Sequence, residues 1–203
     1  MKVIFLDNDG VICLSNNWGS RHKKWDKWGG KKLSMTMREI PIEHRFDNFD
    51  QKAVKVLNEI LEQTGAEIVV SSDWKKHATV EELGDYYEMQ GIIKRPIAAT
   101  ELFHYTDWLA EGFISDDDNF PWSRQESLEQ ERHFEIKRWL RDHPEVTHWV
   151  AVDDLHMGIQ VENSWRGEYE RSWGLQNFVW TPRSSEGIKQ SGVKEKILKH
   201  LIG

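Results

Sequence analysis

The chain has 203 residues, of which 30% are charged, and a mean hydropathy of −0.68. Its formal net charge of −7 argues against broad electrostatic binding to nucleic acid, although it leaves room for a local basic patch. The single cysteine, Cys13, excludes a disulfide framework and favours a reducing compartment. The sequence contains no signal peptide and no apolar stretch as long as a membrane span, so we expect a soluble, cytoplasmic protein without a membrane partner.

The first predicted strand carries the most informative motif. An apolar run from Val3 to Leu6 ends in two carboxylates, Asp7 and Asp9, which are followed by Gly10. Side chains at i and i+2 of an extended chain point the same way, and two acids at the end of a buried strand are costly without a cation between them. A hard cation such as Mg2+ meets that need. On these residues alone, a solvated Asp-Asn-Asp-Gly turn is the alternative.

Strand-like and helix-like patterns alternate along the rest of the chain. An irregular, tryptophan-rich stretch covers 14–46, and the pattern over 100–123 is ambiguous. In the first half of the chain the patterns predict a helix over about 48–64 that Gly65 ends, a strand over 67–71, a helix over 79–90 that begins with a capping box of Thr79 and Glu82, and a strand over 92–99. In the second half they predict a helix over about 125–142 and strands over 146–152 and 178–181. Ser191 is expected to cap a last helix that ends near Leu201. This alternation predicts an α/β domain with a mainly parallel sheet, in which ligands bind at the carboxyl ends of the strands.

Two further predicted strands end in polar residues. Ser71 and Ser72 follow the second strand, and Asp153 and Asp154 follow the strand over 146–152. If these strand ends meet, four carboxylates surround one metal ion and a hydroxyl donor lies beside it. An exposed acidic turn is the alternative for the aspartate pair, and a helix cap is the alternative to substrate binding for Ser72.

The three motifs, Asp-x-Asp, Ser-Ser and Asp-Asp, resemble in this order the haloacid dehalogenase (HAD) superfamily. A narrower resemblance, to the HAD domains of multi-part RNA-repair proteins and their stand-alone relatives, extends over 69–76, 81–91, 135–154 and 179–187. It implies an α/β, HAD-like (Rossmann-like) fold with a mainly parallel sheet flanked by helices. It also implies a single domain over 1–203, with a small cap-like insertion over 14–46 after the first strand.

The resemblance implies a phosphoryl-transfer centre. Asp7 is expected to be the nucleophile that forms an aspartyl-phosphate, and Asp9 is expected to be the general acid and base. An acid at position 9 favours phosphate chemistry over carbon–halogen cleavage. Ser71 would bind a phosphoryl oxygen. Mg2+ would be held by Asp7, the backbone carbonyl of Asp9 and Asp153, with Asp154 as a further ligand through water.

The third motif of the superfamily is usually a lysine near the start of the helix before the fourth-motif strand, and this chain offers two candidates. Arg132 lies four residues before Ile136 and therefore shares its inward helical face. Lys137 is turned about 100° from Ile136. Relatives carry an arginine four residues before the isoleucine, and an arginine would hold phosphate bidentately. Arg132 is the preferred candidate, and Lys137 is the alternative.

Neighbouring residues supply candidates for substrate binding. Trp74 and Lys75 match an aromatic–basic pair in the relatives, although packing beneath the site is the preferred interpretation for Trp74. From Trp18 to Arg38 the insertion is locally basic and aromatic, and such a surface could stack bases and attract phosphates. A solvated loop is the alternative. The candidates in this stretch are Lys23, Lys24, Trp25, Lys27 and Trp28.

Together these features predict a Mg2+-dependent phosphohydrolase that acts through an aspartyl-phosphate on a phosphomonoester. Nucleotides or polynucleotide ends are the leading substrate class. A small-metabolite phosphatase is equally consistent with the catalytic residues. A nucleic-acid-binding module with a vestigial phosphatase site is the alternative from another class, and the intact Asp7, Asp9, Ser71 and Asp153 argue against it.

Overall fold

The computed structural model describes residues 1–15, 24, 36–115, 124–159, 161–164, 167–170 and 174–203. Within this part of the chain the strands are β1 (Lys2–Leu6), β2 (Glu67–Val70), β3 (Pro96–Ala99), β4 (His148–Asp153), β5 (Val161–Ser164), β6 (Gly167–Glu170) and β7 (Phe178–Trp180). Five of them form a parallel sheet in the order β3-β2-β1-β4-β7, and β5 pairs with β6 in a separate antiparallel ribbon. The predicted α/β class with a parallel sheet is confirmed.

The register of the central strands aligns their carboxyl ends. Leu6 of β1 lies opposite Val70 of β2 and Val152 of β4. The pairing continues for one residue, because the Asp7 N–H donates to the Val152 carbonyl at 3.1 Å and the Ser71 N–H donates to the Leu6 carbonyl at 2.9 Å. The first residues beyond these strands therefore lie at the same level, on one edge of the sheet.

Helices cover both faces of the sheet. In the described ranges they are α1 (Ile42–Arg45), α2 (Gln51–Thr64), α3 (Val80–Met89), α4 (Tyr105–Ala110), α5 (Arg124–Asp142) and α6 (Val193–Ile202), with 3-10 turns at Met37–Glu39, Asp73–Lys76 and Gly187–Lys189. Side chains of β1 alternate between the faces. Ile4 and Leu6 pack in the cluster that contains α2, α3 and α6, whereas Val3 and Phe5 pack against α5. Burial on both faces explains why this strand is a continuous apolar run.

Capping groups fix several helix ends where the sequence predicts them. Asp50 accepts backbone N–H bonds at the start of α2, and Gly65 ends this helix in the left-handed conformation with φ of 68°. The capping box at the start of α3 is confirmed, because Thr79 and Glu82 bond each other's backbone N–H groups.

Two predicted boundaries are wrong. The strand predicted over 92–99 is confined to β3, because Gly91 has φ of 91° and the Ile92 N–H still bonds the Tyr87 carbonyl at 2.9 Å, so the chain is turning there. The last helix is not capped by Ser191. Gly192 occupies the N-cap with φ of 80° and provides no side-chain bond. The sequence pattern also did not predict the ribbon of β5 and β6.

The insertion predicted over 14–46 lies largely outside the described residues, so its cap-like character and the single-domain organisation stay predictions. Its last part is described. Arg45, at the end of α1, is buried and donates two hydrogen bonds to the Glu82 carboxylate, at 2.8 and 3.0 Å. This bidentate pair ties the end of the insertion to α3. None of the described helices is long and apolar enough to cross a membrane.

Candidate active site

Three carboxylates meet at the carboxyl edge of the sheet. Asp7 follows β1, Asp153 is the last residue of β4, and Asp154 comes next in the chain. One oxygen of each carboxylate lies within 4.8 Å of the others. Asp7 and Asp153 are buried, and Asp154 is partly exposed. The aligned register of β1 and β4 brings these side chains together although about 145 residues separate them in the sequence.

The motif after β1 alternates between the site and the core. The side-chain oxygen of Asn8 accepts a hydrogen bond from the Tyr87 hydroxyl at 2.5 Å, within the core beneath α3. Asp7 and Asp9, on either side of Asn8, instead line one small cavity. This is the i, i+2 arrangement that the sequence predicts.

Trp74 holds one oxygen of Asp9. The indole Nε1–H donates to Asp9 Oδ2 at 2.9 Å, and the buried indole ring stacks on Phe46 with ring centroids 4.0 Å apart. Trp74 therefore packs beneath the site, as its preferred interpretation requires, and also orients a candidate acid and base. The sequence alone did not predict this hydrogen bond.

Gly10 is required at its position for two reasons. Its φ of 73° lies in the left-handed region, which L-residues with a side chain rarely adopt. A Cβ atom added there would lie 2.1 Å from Asp154 Oδ2. The glycine thus allows both the sharp turn after β1 and the close approach of the Asp154 carboxylate, whose Oδ2 also accepts a hydrogen bond from Ser184 at 3.0 Å.

Arg132 is a cation that the fold brings to these carboxylates. Its Nη1 lies 3.1 Å from Asp7 Oδ1 and 2.9 Å from Asp153 Oδ2, and its Nη2 lies 3.4 Å from Asp73 Oδ1. Arg132 is buried on α5, whereas Lys137 on the same helix is exposed. The structure therefore brings Arg132 to the carboxylates and leaves Lys137 on the solvent side, as the helical period requires.

The electrostatics of the site favour a bound cation. Burial raises the pKa of Asp7 well above its ordinary value, and the charge of Asp153 raises it further, against the opposing charge of Arg132. Burial also raises the pKa of Asp153 to about 6, again opposed by Arg132. Burial lowers the pKa of Arg132, but the charges of Asp153 and Asp7 outweigh this effect and raise the pKa well above its ordinary value, so the guanidinium stays charged. Three clustered carboxylates outnumber this guanidinium, and an all-oxygen ligand set short of positive charge fits a hard divalent ion such as Mg2+.

Buried hydroxyl groups occur at the same edge of the sheet. Ser71 Oγ, Ser72 Oγ and Thr181 Oγ1 have no hydrogen-bond partner among the described residues. Because buried hydroxyls are normally bonded, oxygens of a ligand are suitable partners for them. Ser72 is the N-cap residue of the following 3-10 turn, but its side chain makes no capping bond. Thr181 was not singled out from the sequence, although it follows β7 just as Ser71 follows β2.

Lys75 lies in a buried ion pair instead of in the cavity. Its Nζ contacts the Glu135 carboxylate and donates to Thr100 Oγ1 at 2.7 Å. Because Glu135 is on α5, this pair connects the turn after β2 to the helix that carries Arg132. The sequence predicts a substrate contact for Lys75, and the structure instead gives it protein partners.

The basic stretch of the insertion is represented in the structure by Lys24 and by the residues from 36 onward. Lys24 Nζ donates to the Glu43 carbonyl at 3.0 Å, to the Asn48 side chain at 2.5 Å and to the Tyr86 hydroxyl at 3.1 Å. The amino group of Lys24 is therefore bonded to protein groups. The other candidates lie outside the described residues, and their substrate-binding role stays a prediction: Lys23, Trp25, Lys27 and Trp28.

A cavity of about 70 Å³ opens over the carboxylates. A bound water needs roughly 10–15 Å³ on the same measure, so the cavity has room for a group of a few heavy atoms, such as a phosphoryl group. A nucleoside or sugar does not fit. Its lining consists of Asp7, Asp9, Asp73, Leu128, Arg132, Asp154 and Leu155. Asp73 is not among the candidates from the sequence, because its contact with Arg132 joins residues that are distant in the chain.

A parallel sheet flanked by helices, with carboxylates at adjacent strand ends, is the arrangement that the resemblance to the HAD superfamily implies. A family model described as the HAD domain in Swiss Army Knife RNA repair proteins matches residues 3–181, and the chain belongs to this family. The predicted relation to HAD domains of RNA-repair proteins is thereby confirmed. No curated protein and no solved structure matches the chain.

Proposed function

We propose that this protein is a Mg2+-dependent phosphohydrolase that cleaves phosphomonoesters through an aspartyl-phosphate on Asp7. The observation that carries the proposal is the convergence of Asp7, Asp153 and Asp154 within 4.8 Å beside the buried guanidinium of Arg132. Carboxylates, a fixed cation and a cavity of phosphoryl size together suit phosphoryl transfer, in which positioning and charge neutralisation supply most of the catalysis.

The ligands for Mg2+ would be Asp7, Asp153 and Asp154, with the backbone carbonyl of Asp9 as a further oxygen donor. The donor set contains only oxygen atoms, and the approach of Asp154 depends on the missing side chain of Gly10. When bound, Mg2+ supplies positive charge against the phosphoryl oxygens and the attacking carboxylate.

Asp7 and Asp9 divide the chemistry. A carboxylate oxygen of Asp7 attacks phosphorus, the bond from phosphorus to the ester oxygen breaks, and Asp9 gives its proton to that leaving oxygen. A water molecule then attacks the phosphorus, Asp9 takes the proton of that water, and the bond between Asp7 and phosphorus breaks to release phosphate. The hydrogen bond from Trp74 holds Asp9 Oδ2 and so orients the carboxyl group that would transfer the proton.

Arg132 and Ser71 would hold the phosphoryl group in place. The guanidinium already contacts both Asp7 and Asp153, so a phosphoryl group bound at Asp7 comes within its reach. The buried Ser71 hydroxyl, which has no partner among the described residues, can donate to a phosphoryl oxygen. Arg132 is held by its carboxylate partners before the substrate binds, which limits the reorganisation that catalysis requires.

The size of the cavity separates the reacting group from the rest of the substrate. Because about 70 Å³ accepts little more than the phosphoryl group, selectivity must come from contacts outside this cavity. The name of the matched family refers to RNA repair, which favours a nucleotide or a polynucleotide end as the substrate.

The direct test is release of p-nitrophenol from p-nitrophenyl phosphate, with and without Mg2+. We expect turnover that EDTA abolishes and added Mg2+ restores, and a steeply raised Mg2+ requirement in Asp153→Ala. The matched control is Asp142→Ala, because Asp142 is exposed at the far end of α5. Full activity after exhaustive chelation would refute a metal site at these carboxylates, and activity in Asp7→Asn above a few per cent of wild type would refute Asp7 as the nucleophile.

A further inference from the structure

A second cavity lies beside the catalytic one, across the segment 154–156. Its volume is about 540 Å³, compared with about 70 Å³ for the catalytic cavity. Asp154 and Leu155 line the smaller cavity, and the next residue, His156, lines the larger one. The larger volume falls in the range of about 300–1,000 Å³ that small-molecule sites occupy. It is therefore large enough for the part of a substrate that the catalytic cavity excludes.

Trp180 gives this cavity an exposed aromatic surface in a fixed orientation. Its Nε1–H donates to the Asp154 carbonyl at 2.9 Å, and its ring meets the His156 ring edge to face at 4.4 Å between centroids. These contacts hold the indole, yet 43% of the residue stays exposed, and Ile159 in the same lining is also 43% exposed. A fixed aromatic ring open to solvent is suited to stacking on a planar ligand.

The lining also carries positive charge. Arg183 and Lys196 both line the cavity, with Glu186 as the acid among the described lining residues. Arg183 pairs with Glu186 at 2.9 Å, but both side chains are exposed, and such pairs contribute little and exchange readily with other partners. Lys196 is exposed on α6. An anionic ligand would therefore find two cations at this cavity.

The residues of β7, Phe178 to Trp180, all line the cavity. This strand ends the described order of the parallel sheet, so no strand of the described chain pairs with its far side. Backbone N–H and C=O groups alternate in direction along a strand, and those directed outward can bond the polar edge of a base. An aromatic surface and two cations thus occur together, next to a carboxylate of the catalytic cluster.

We propose that this cavity binds the base of a nucleotide whose phosphate lies in the catalytic cavity, with Trp180 as the stacking surface. Arg183 and Lys196 then face neighbouring phosphates when the substrate is a polynucleotide. This inference rests on the proposed function, because it assigns the substrate class of that same site.

The first experiment compares Trp180→Ala with Trp180→Phe on adenosine monophosphate and on glycerol 3-phosphate. Both variants lose the hydrogen bond to Asp154, so any effect through the metal site appears equally in both variants and with both substrates. Only the alanine variant loses the ring. We expect its KM for adenosine monophosphate to exceed that of the phenylalanine variant about 5- to 150-fold. Equal KM values in the two variants would overturn the stacking role.

Direct binding separates this inference from the proposed function. Adenosine carries no phosphate, so its titration into the wild-type protein, followed by calorimetry, does not depend on turnover or on Mg2+. We expect saturable binding that Trp180→Ala weakens by the same factor and Trp180→Phe largely keeps. Such binding in a protein that hydrolyses no phosphomonoester would refute the proposed function and retain the nucleoside site. Phosphatase activity without any binding of adenosine or adenosine monophosphate would do the reverse.

The contribution of the cavity's cations is tested with a matched pair of lysines on α6. Lys196 lines the cavity, whereas Lys199 is exposed on the same helix outside the lining. We expect Lys196→Ala to raise KM for a short oligonucleotide several-fold at low salt, with a smaller increase at high salt because exposed charges are screened. Lys199→Ala should change KM less at both salt concentrations. Equal effects of the two variants would show a general charge effect and overturn the contact of Lys196.

Discussion

Replacement of Arg132 tests how the acidic cluster is held together. In Arg132→Ala, the buried carboxylates of Asp7 and Asp153 lose a guanidinium that now lies 3.1 and 2.9 Å away. Their side chains are only 4% and 1% exposed, so water cannot replace the lost charge. Removing one partner from a buried ion pair costs about 3–5 kcal/mol. We therefore expect the metal-free variant to be less stable by about that amount in urea unfolding.

Mg2+ provides a second readout for the same variant. Because the ion would bind the same carboxylates, it should recover part of the lost stability in Arg132→Ala, and more than it adds to the wild type. Phosphate release should fall about 100- to 1,000-fold, the usual loss when one fixed donor at a transition state is removed. Arg132→Lys keeps the charge but not the forked guanidinium, so its rate of phosphate release should lie between those of the wild type and Arg132→Ala.

Lys137→Ala is the matched control for Arg132, because it removes a cation from the same helix at an exposed position. We expect its stability to change by no more than about 0.5 kcal/mol and its activity to stay close to wild type. A large loss of activity in this variant, combined with near-normal activity in Arg132→Ala, would refute the assignment of Arg132 and restore the alternative that the sequence left open.

Three further variants extend these tests. Trp74→Phe keeps an aromatic ring but removes the N–H donor to Asp9, so kcat should fall about 10- to 150-fold. The stability of this variant should fall less than that of Trp74→Ala. An unchanged kcat would contradict the orienting role of Trp74. Gly10→Ala should destabilise the fold by about 1–2 kcal/mol, because its φ is in the left-handed region. The added methyl group should also displace Asp154 and so weaken Mg2+ binding, measured by calorimetry. A wild-type affinity for Mg2+ would contradict the close approach of Asp154 to Gly10. Burial lowers the pKa of His133 to about 3, so its neutral form stabilises the fold fully above about pH 6.5, and this contribution is lost as the pH falls toward 3. Between pH 7 and 4.5 the wild type should therefore lose about 2–3 kcal/mol more than His133→Gln in urea unfolding, and equal losses would show that His133 does not titrate in this way.

The strand ends could be predicted from the sequence because their signals are local and their convergence follows from topology. Each buried strand is a short apolar run that stops at a polar residue, as at Asp7, Ser71 and Asp153. Parallel pairing then places the three residues at one edge without further information. The placement of Arg132 and Lys137 could also be predicted, because the helical period alone turns the first toward the sheet and the second toward solvent.

Features that depend on contacts distant in sequence could not be predicted. The hydrogen bond from Trp74 to Asp9 and the ion pair of Lys75 with Glu135 each join residues 60 or more positions apart. Residue type alone therefore suggested a substrate contact for Lys75, whereas the fold pairs this lysine with Glu135. The exposure of Trp180 likewise follows from its place on an edge strand.

Local errors have a local physical cause. Ser191 has the residue type of an N-cap, but the next residue is a glycine in the left-handed conformation, and the helix begins beyond it. The strand predicted over 92–99 begins at Pro96 because Gly91 turns the chain first. In both cases glycine stereochemistry overrides the propensity of its neighbours.

The most direct test of the central claim is to trap the aspartyl-phosphate. Asp9→Asn should form the intermediate but hydrolyse it about 100- to 10,000-fold more slowly than the wild type, since the base that activates water is lost. After brief reaction with an activated phosphomonoester and Mg2+, mass spectrometry of the acid-quenched variant should find one phosphoryl group on the peptide that contains Asp7. The double variant with Asp7→Asn should carry none. Turnover by the wild type without any phosphoryl group at Asp7 in the trapping variant, or a phosphoryl group on another residue, would contradict the account.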